Sequence, residues 1–223
     1  MTSNDIDWPK PAIEPRKPAF MLKKMMAQYV YDITWLEGNP LSFVQVQSLL
    51  DGARIADADA GDMVQAMNQH ATLKHLAASL GEPWDGALAR ALHARIAREE
   101  ALVWGEFRNS DVGISGTRHK PPAAASLQPI WDDGMACLQT IEHPVERALL
   151  YHFWAARNQF FFDGNKRCAR AMMNHALLTH GYYYLSVPAK AAEEYDQMMV
   201  ATYDSGDVST GLRWMLQHYV NWD

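Results

Sequence analysis

Along most of this chain apolar residues recur at steps of three and four, a spacing that collects them on one face of an α-helix. Over residues 19–37 the stripe is Phe20, Leu22, Met25, Met26, Tyr29, Val30, Ile33 and Leu36, and Gly38 stops it. Ser42 then stands as an N-cap before Val44, Val46, Leu49 and Leu50, with Asp51 and Gly52 closing a short helix. The same reading predicts helices over 61–80, 86–104 and 127–141, and another whose first turn holds Pro144 and whose apolar side carries Val145, Leu149, Leu150 and Phe153. Helices at 165–180, 188–203 and 207–220 follow, so the expected fold class is mainly α, a helical bundle.

Two stretches depart from that period. Residues 1–18 hold Pro9, Pro11, Pro15 and Pro18 among charges and read as an extended arm lying on the body. Residues 104–122 carry Gly105, Gly113 and Gly116 with Val112 and Ile114 alternating, the mark of a short β-hairpin flap. At 223 residues, 48% of them hydrophobic, the chain has enough apolar surface for one domain over 19–223. A net charge of -6 gives no basic surface of the kind that holds a nucleic-acid backbone, so nucleic acid is not an expected partner. No apolar run reaches the ~18 residues a spanning helix needs, and no membrane association is expected. Cys137 and Cys168 lack metal or redox spacing and the start lacks a basic and apolar leader, which makes the expected location cytoplasmic.

The stretch that carries chemistry runs from Gln159 to Arg170, Gln-Phe-Phe-Phe-Asp-Gly-Asn-Lys-Arg-Cys-Ala-Arg. It reads as an aromatic loop opening into a helix whose first turns hold Lys166, Arg167 and Arg170. Cations are unfavourable at a helix N-terminus, where unpaired N–H groups already present positive charge, unless an anion is received there. Gly164 lets backbone come close to a ligand, and Asp163 can hold a divalent cation between phosphates. Arg167 and Arg170, three apart, share a helical face and could grip outer phosphates with forked donors. A solvated helix start with an Asp cap and scattered arginines is the plainer explanation.

Phe161, Asp163, Gly164, Asn165, Arg167 and Arg170 together match the motif of the Fic (Fic/Doc) family, which this chain resembles. With residue frequencies near ~5%, six fixed positions arise by chance in only a few of about a million such chains. The resemblance extends to Gly116-Thr117-Arg118-His119-Lys120-Pro121 at the end of the flap and to Trp35-Leu36-Glu37-Gly38-Asn39. It implies a mostly helical fold with the flap and motif in a core over 86–223, and AMP transfer from ATP to a hydroxyl of a target protein. It also implies Mg2+ at Asp163, the α-phosphate at Gly164 and Asn165, outer phosphates at Arg167 and Arg170, and an unknown target protein docked along the flap by strand addition. Residues 19–60 become an inhibitory helix and a short follower, with Glu37 pairing with Arg170 to keep the γ-phosphate from its productive pose. A homo-oligomer is compatible with all of this.

The chain departs from the family at the position of greatest consequence, since Gln159 stands where the family has its catalytic histidine and Phe160 where a proline often follows. Ile33 likewise replaces a Ser or Thr of the inhibitory motif. Glutamine cannot accept a proton near neutral pH, so the general-base step, worth typically ~10²–10⁴ in rate, is lost. Three readings stay open: a transferase with weakened or altered catalysis, a non-catalytic module whose bound ATP or other nucleotide controls protein association, and a hydrolase that removes AMP with Glu37 orienting water. His152 and His175 read as packed rather than catalytic, with His119 the less remote substitute base. Tyr182, Tyr183 and Tyr184 could wall a base or simply pack between helices.

Overall fold

A computed structural model describes residues 6–223; residues 1–5 of the expected arm lie outside them. The helices are α1 (Lys17–Lys24), α2 (Met26–Trp35), α3 (Phe43–Leu50), α4 (Ala60–Ala78) and α5 (Gly86–Ile96), then α6 (Leu127–Gln139), α7 (Pro144–Asn158), α8 (Asn165–Thr179), α9 (Ala192–Ser205) and α10 (Ser209–Gln217). No helix among the described residues is long and apolar enough to cross a membrane.

α8 is buried along nearly its whole length, which makes it the central helix. It pairs with α7; α4 and α5 cover α8, and α6, α9 and α10 cover α7. α2 bridges α3 and α4, which places the turn after α2 near the start of α8. Ser42 caps α3 as expected, its Oγ accepting from Gln45 N at 3.3 Å while Gln45 Oε1 accepts from Ser42 N at 2.9 Å.

Three expectations are corrected. The single helix over 19–37 is two, jointed at Met25, and it begins at Lys17 inside the predicted arm, with Pro18 in its first turn. Met25 N still donates to Met21 O and Tyr29 N to Met25 O, so the hydrogen-bond ladder bends there without a breaker residue. The helix over 86–104 ends at Ile96, because Glu99 takes a left-handed φ of 63° and turns the chain back. No strand forms among the described residues, and the hairpin expected at 104–122 is an irregular loop. Its backbone donors go to the body instead: Arg108 N to Phe160 O at 2.9 Å and Arg118 N to Asp204 Oδ1 at 2.8 Å.

Packing between α6 and α7 depends on Gly134, where a Cβ would fall inside the Trp154 indole. Replacing a mid-helix glycine by alanine ordinarily gains ~1 kcal/mol of helix propensity. Here overpacking of ~1–3 kcal/mol wins. Gly134→Ala is expected to lower the urea midpoint, and an unchanged or raised midpoint would show that Trp154 moves aside freely.

Candidate functional site

The loop between α7 and α8 is built by local chemistry. α7 stops at Gln159, whose φ of 51° reverses the chain. Phe160 and Phe161 then plunge into the core, Phe161 stacking on His93 at 3.7 Å between ring centroids. Gly164, with φ of 69°, starts α8, and a Cβ there would lie 3.1 Å from Ile96 Cγ2, so both conformation and space favour glycine. Asn165 ties the loop to itself: its Oδ1 accepts from Phe161 N at 2.9 Å, and its Nδ2 donates to Phe161 O at 2.8 Å and Gln159 Oε1 at 2.9 Å.

Two further residues hold the loop from behind, and neither shows in the sequence pattern. His93 donates from Nε2 to Asp163 O at 2.9 Å and accepts from Gly105 N at Nδ1, also at 2.9 Å, which fixes a neutral imidazole. Burial pushes its pKa down to about 4 in spite of the favourable Asp163 carbonyl. Arg108, itself buried, donates to Gln159 O at 2.6 Å, Ser110 O at 2.9 Å and Pro122 O at 2.5 Å, pinning both ends of the flap to the loop.

The two arginines of the motif converge. Arg170 Nη2 lies 2.8 Å from Glu37 Oε1 and its Nη1 donates to Tyr195 OH at 2.9 Å. Arg167 Nη1 lies 2.5 Å from Glu100 Oε2, with Glu37 Oε2 3.9 Å from its Nε. Both guanidinium groups are buried, and the Nε of each has no hydrogen-bond partner. Burial alone would raise the Glu37 pKa, yet the charges of Arg170, Arg167 and Lys166 hold its carboxyl below the usual carboxylate range.

In front of this cluster opens a cavity of about 420 Å³. Its floor is the loop and helix start, Gln159 and Phe162 to Lys166; Glu37 closes one side; Asp196, Met199, Val200 and Tyr203 of α9 form a wall, and Gly113, Ile114 and Ser115 a rim. Lys166 is paired with Asp196 at 3.1 Å. Of the predicted residues the cavity therefore gathers Gln159, Asp163, Gly164, Asn165, Lys166 and Glu37. Arg167 and Arg170 do not line it; they meet it through Glu37. Asp163 is exposed at its edge, 3.8 Å from Arg167 Nη2. No group of three or more His, Cys, Asp or Glu among the described residues could hold a metal by itself. A lone carboxylate fits Mg2+ that takes its other ligands from phosphate and water, and does not fit an all-protein cage.

Flap residues 116–119 do not line the cavity; they are tied to the body, with the Arg118 side chain left exposed. Thr117 Oγ1 and Arg118 N both donate to Asp204 Oδ1, Gly116 turns with φ of 80°, and His119 donates from Nε2 to Arg157 O at 3.0 Å. The rim that the sequence reading passed over is Gly113 to Ser115. His119 is thus committed to a carbonyl; His175 likewise donates to Ser79 O at 2.8 Å. Gln159 is held at both ends, donating from Nε2 to Ala156 O at 2.6 Å and accepting from Asn165. The three tyrosines pack and leave the cavity alone: Tyr184 stacks on Tyr29 at 4.4 Å and Tyr183 donates to Asp223 Oδ1 at 2.7 Å.

His152 is fully buried 3.3 Å from Tyr195 OH, and burial, then the charges of Arg170 and Lys166, push its pKa down to about 3. The unfolded chain binds a proton near 6.5 and the folded one does not, so stability is whole above pH ~6.5 and falls as pH drops toward 3. The full effect is on the order of 5 kcal/mol. Urea midpoints at pH 7 and pH 5 are expected to differ by more in the wild type than in His152→Gln, and equal differences would count against it.

Residues 83–177 match the sequence pattern of the Fic/DOC family. A curated relative, the protein adenylyltransferase Fic of Aedes aegypti, is 27% identical over 203 residues, 86% of this chain and 40% of that protein, so the chain spans about two fifths of its length. A solved Fic-1 fragment from C. elegans superposes with a TM-score of 0.74 at 25% identity, over 90% of this chain and 61% of that one. A Fic domain containing signaling protein from Bacteroides thetaiotaomicron gives 0.76 at 19% identity, over 92% and 86%, a likeness of fold alone. The matched stretch takes in the loop, both arginines and the flap, so residues 83–177 of this chain form a Fic/DOC family domain.

Proposed function

We propose that the cavity binds a Mg-nucleotide, ATP in the first place, and that the protein is an adenylyltransferase-type Fic domain held at low turnover by Glu37 and by the loss of a base at position 159. The observation that carries this is the convergence of two buried arginines on one carboxylate at the wall of a cavity whose floor is a glycine-opened helix start. An anion arriving there replaces Glu37 against Arg170 and, at the α-phosphate, takes the N–H groups of Asn165 and of Gly164, the latter in exchange for its bond to Asp163 Oδ1. Arg167 and Arg170 receive the outer phosphates. Mg2+ on Asp163 would neutralise charge between phosphates. The rim at Gly113 to Ser115 and the flap beyond it would hold the target protein, whose hydroxyl receives AMP. Residues 19–60 then act as the inhibitory part of one domain over 19–223, in a cytoplasmic setting, alone or as a homo-oligomer.

A second reading, a nucleotide-controlled interaction module without turnover, is favoured by one observation: both ends of the Gln159 amide are already engaged, so it neither takes a proton nor is free to orient a nucleophile.

Titration calorimetry with Mg-ATP tests the shared premise. Glu37→Gly is expected to bind about tenfold or more tightly than the wild type, and adding Asp163→Ala or Arg170→Ala to Glu37→Gly should weaken binding by at least as much. Absence of heat from every variant, with the proteins folded, would overturn the proposal.

A further inference from the structure

A buried polar stripe on α4 has no part in the phosphate loop, yet it ends there. Asn68 is buried, and a buried amide persists where its hydrogen bonds are met. It donates to Glu100 Oε1 at 2.9 Å and to Arg98 O at 2.7 Å, while Gln65, one turn earlier, donates to Glu100 Oε2 at 3.2 Å. That same Oε2 receives Arg167 Nη1. Glu100 reaches this position because Glu99 directly before it adopts its left-handed backbone, a strained conformation for a residue with a side chain.

The two carboxylates facing the two arginines are therefore not alike. Glu37 lines the cavity, follows α2 in a turn closed by Gly38 with φ of 82°, and has one close partner, Arg170. Glu100 does not line the cavity, and three donors from two helices hold its two oxygens. A ligand can displace the first without disturbing the second.

We propose that Glu100 is a positioning residue, holding Arg167 by Nη1 in the orientation that meets a phosphate beyond the first and keeping it there when Glu37 is displaced. The inference rests on the nucleotide reading given above. An arginine already held gave up its rotamer freedom on folding and loses little on binding. Without Glu100 and with Glu37 displaced, two buried guanidinium groups one turn apart would keep only the exposed Asp163, 3.8 Å from Arg167, as counter-charge, and Arg167 would leave its buried seat.

Calorimetry on the Glu37→Gly protein with Mg-ATP, Mg-ADP and AMP separates this role from a general structural one. Adding Glu100→Gln is expected to weaken ATP and ADP about tenfold and to leave AMP within about twofold, because AMP has no phosphate for Arg167 to reach. Equal weakening of all three, no change, or tighter ATP binding would each overturn the proposal, the last by showing Glu100 to be a competitor like Glu37. Should Glu100→Gln fail to fold, Gln65→Met removes only one of Glu100's donors; a smaller loss confined to ATP and ADP supports the role, and an even loss overturns it. A Glu37→Gly parent that binds none of the three nucleotides brings down the nucleotide reading itself and this inference with it.

Discussion

Placing a histidine at position 159 is expected to raise AMP transfer to protein by ~10²–10⁴, the usual worth of a positioned general base, when Gln159→His is compared with Gln159 in the Glu37→Gly protein. The side chain leaves from the left-handed residue that ends α7, and it already lines the cavity beside Gly164 and Asn165. An imidazole there would keep one nitrogen for the Asn165 amide and turn the other toward the cavity, which glutamine cannot do as a base. Labelled ATP and a cell lysate read the result. If Glu37→Gly binds Mg-ATP and the histidine adds no label, the fault lies in target recognition or in the orientation of residue 159, and the interaction-module reading gains.

The second large effect concerns stability. Arg170→Ala leaves the largely buried Glu37 without its nearest cation, Arg167 remaining 3.9 Å away, and Tyr195 OH without its donor. Removing one partner of a buried pair costs ~3–5 kcal/mol, since the other charge stays uncompensated. The urea midpoint should fall accordingly. The double variant Arg170→Ala with Glu37→Gln should regain much of the loss, because the stranded charge is gone, so the two changes are strongly non-additive. Additive losses would mean that Glu37 swings into solvent as soon as Arg170 is removed, and that the pair holds little of the fold together.

How far the sequence could be read depended on the range of the interaction. Periodicity located the helices, Ser42 and Gln45 formed the cap their spacing announces, and the motif loop lies where glycine and asparagine said it would. The misreadings were of two kinds. At Met25 and Glu99 the chain bends or reverses at ordinary residues, because distant packing outweighs local propensity. The flap shows alternation without pairing, because its donors find better partners on the body. The partners that fix the site were invisible for the same reason: His93 meets Asp163 across 70 residues, Glu100 meets Arg167 across 67 and Arg108 meets Gln159 across 51. No local pattern marks such a pair, and each of these residues reads by itself as an ordinary helix or loop side chain.

The Arg108 guanidinium clasps the carbonyls of Ser110 and Pro122 together with that of Gln159. The arc between those two feet is in effect a closed loop, and lengthening such a loop is inexpensive: doubling it adds only about 0.6 kcal/mol of closure entropy. Insertions between residues 116 and 121, beyond the cavity rim, can therefore change the outer surface of the arc at little cost in stability while both of its feet stay where Arg108 holds them.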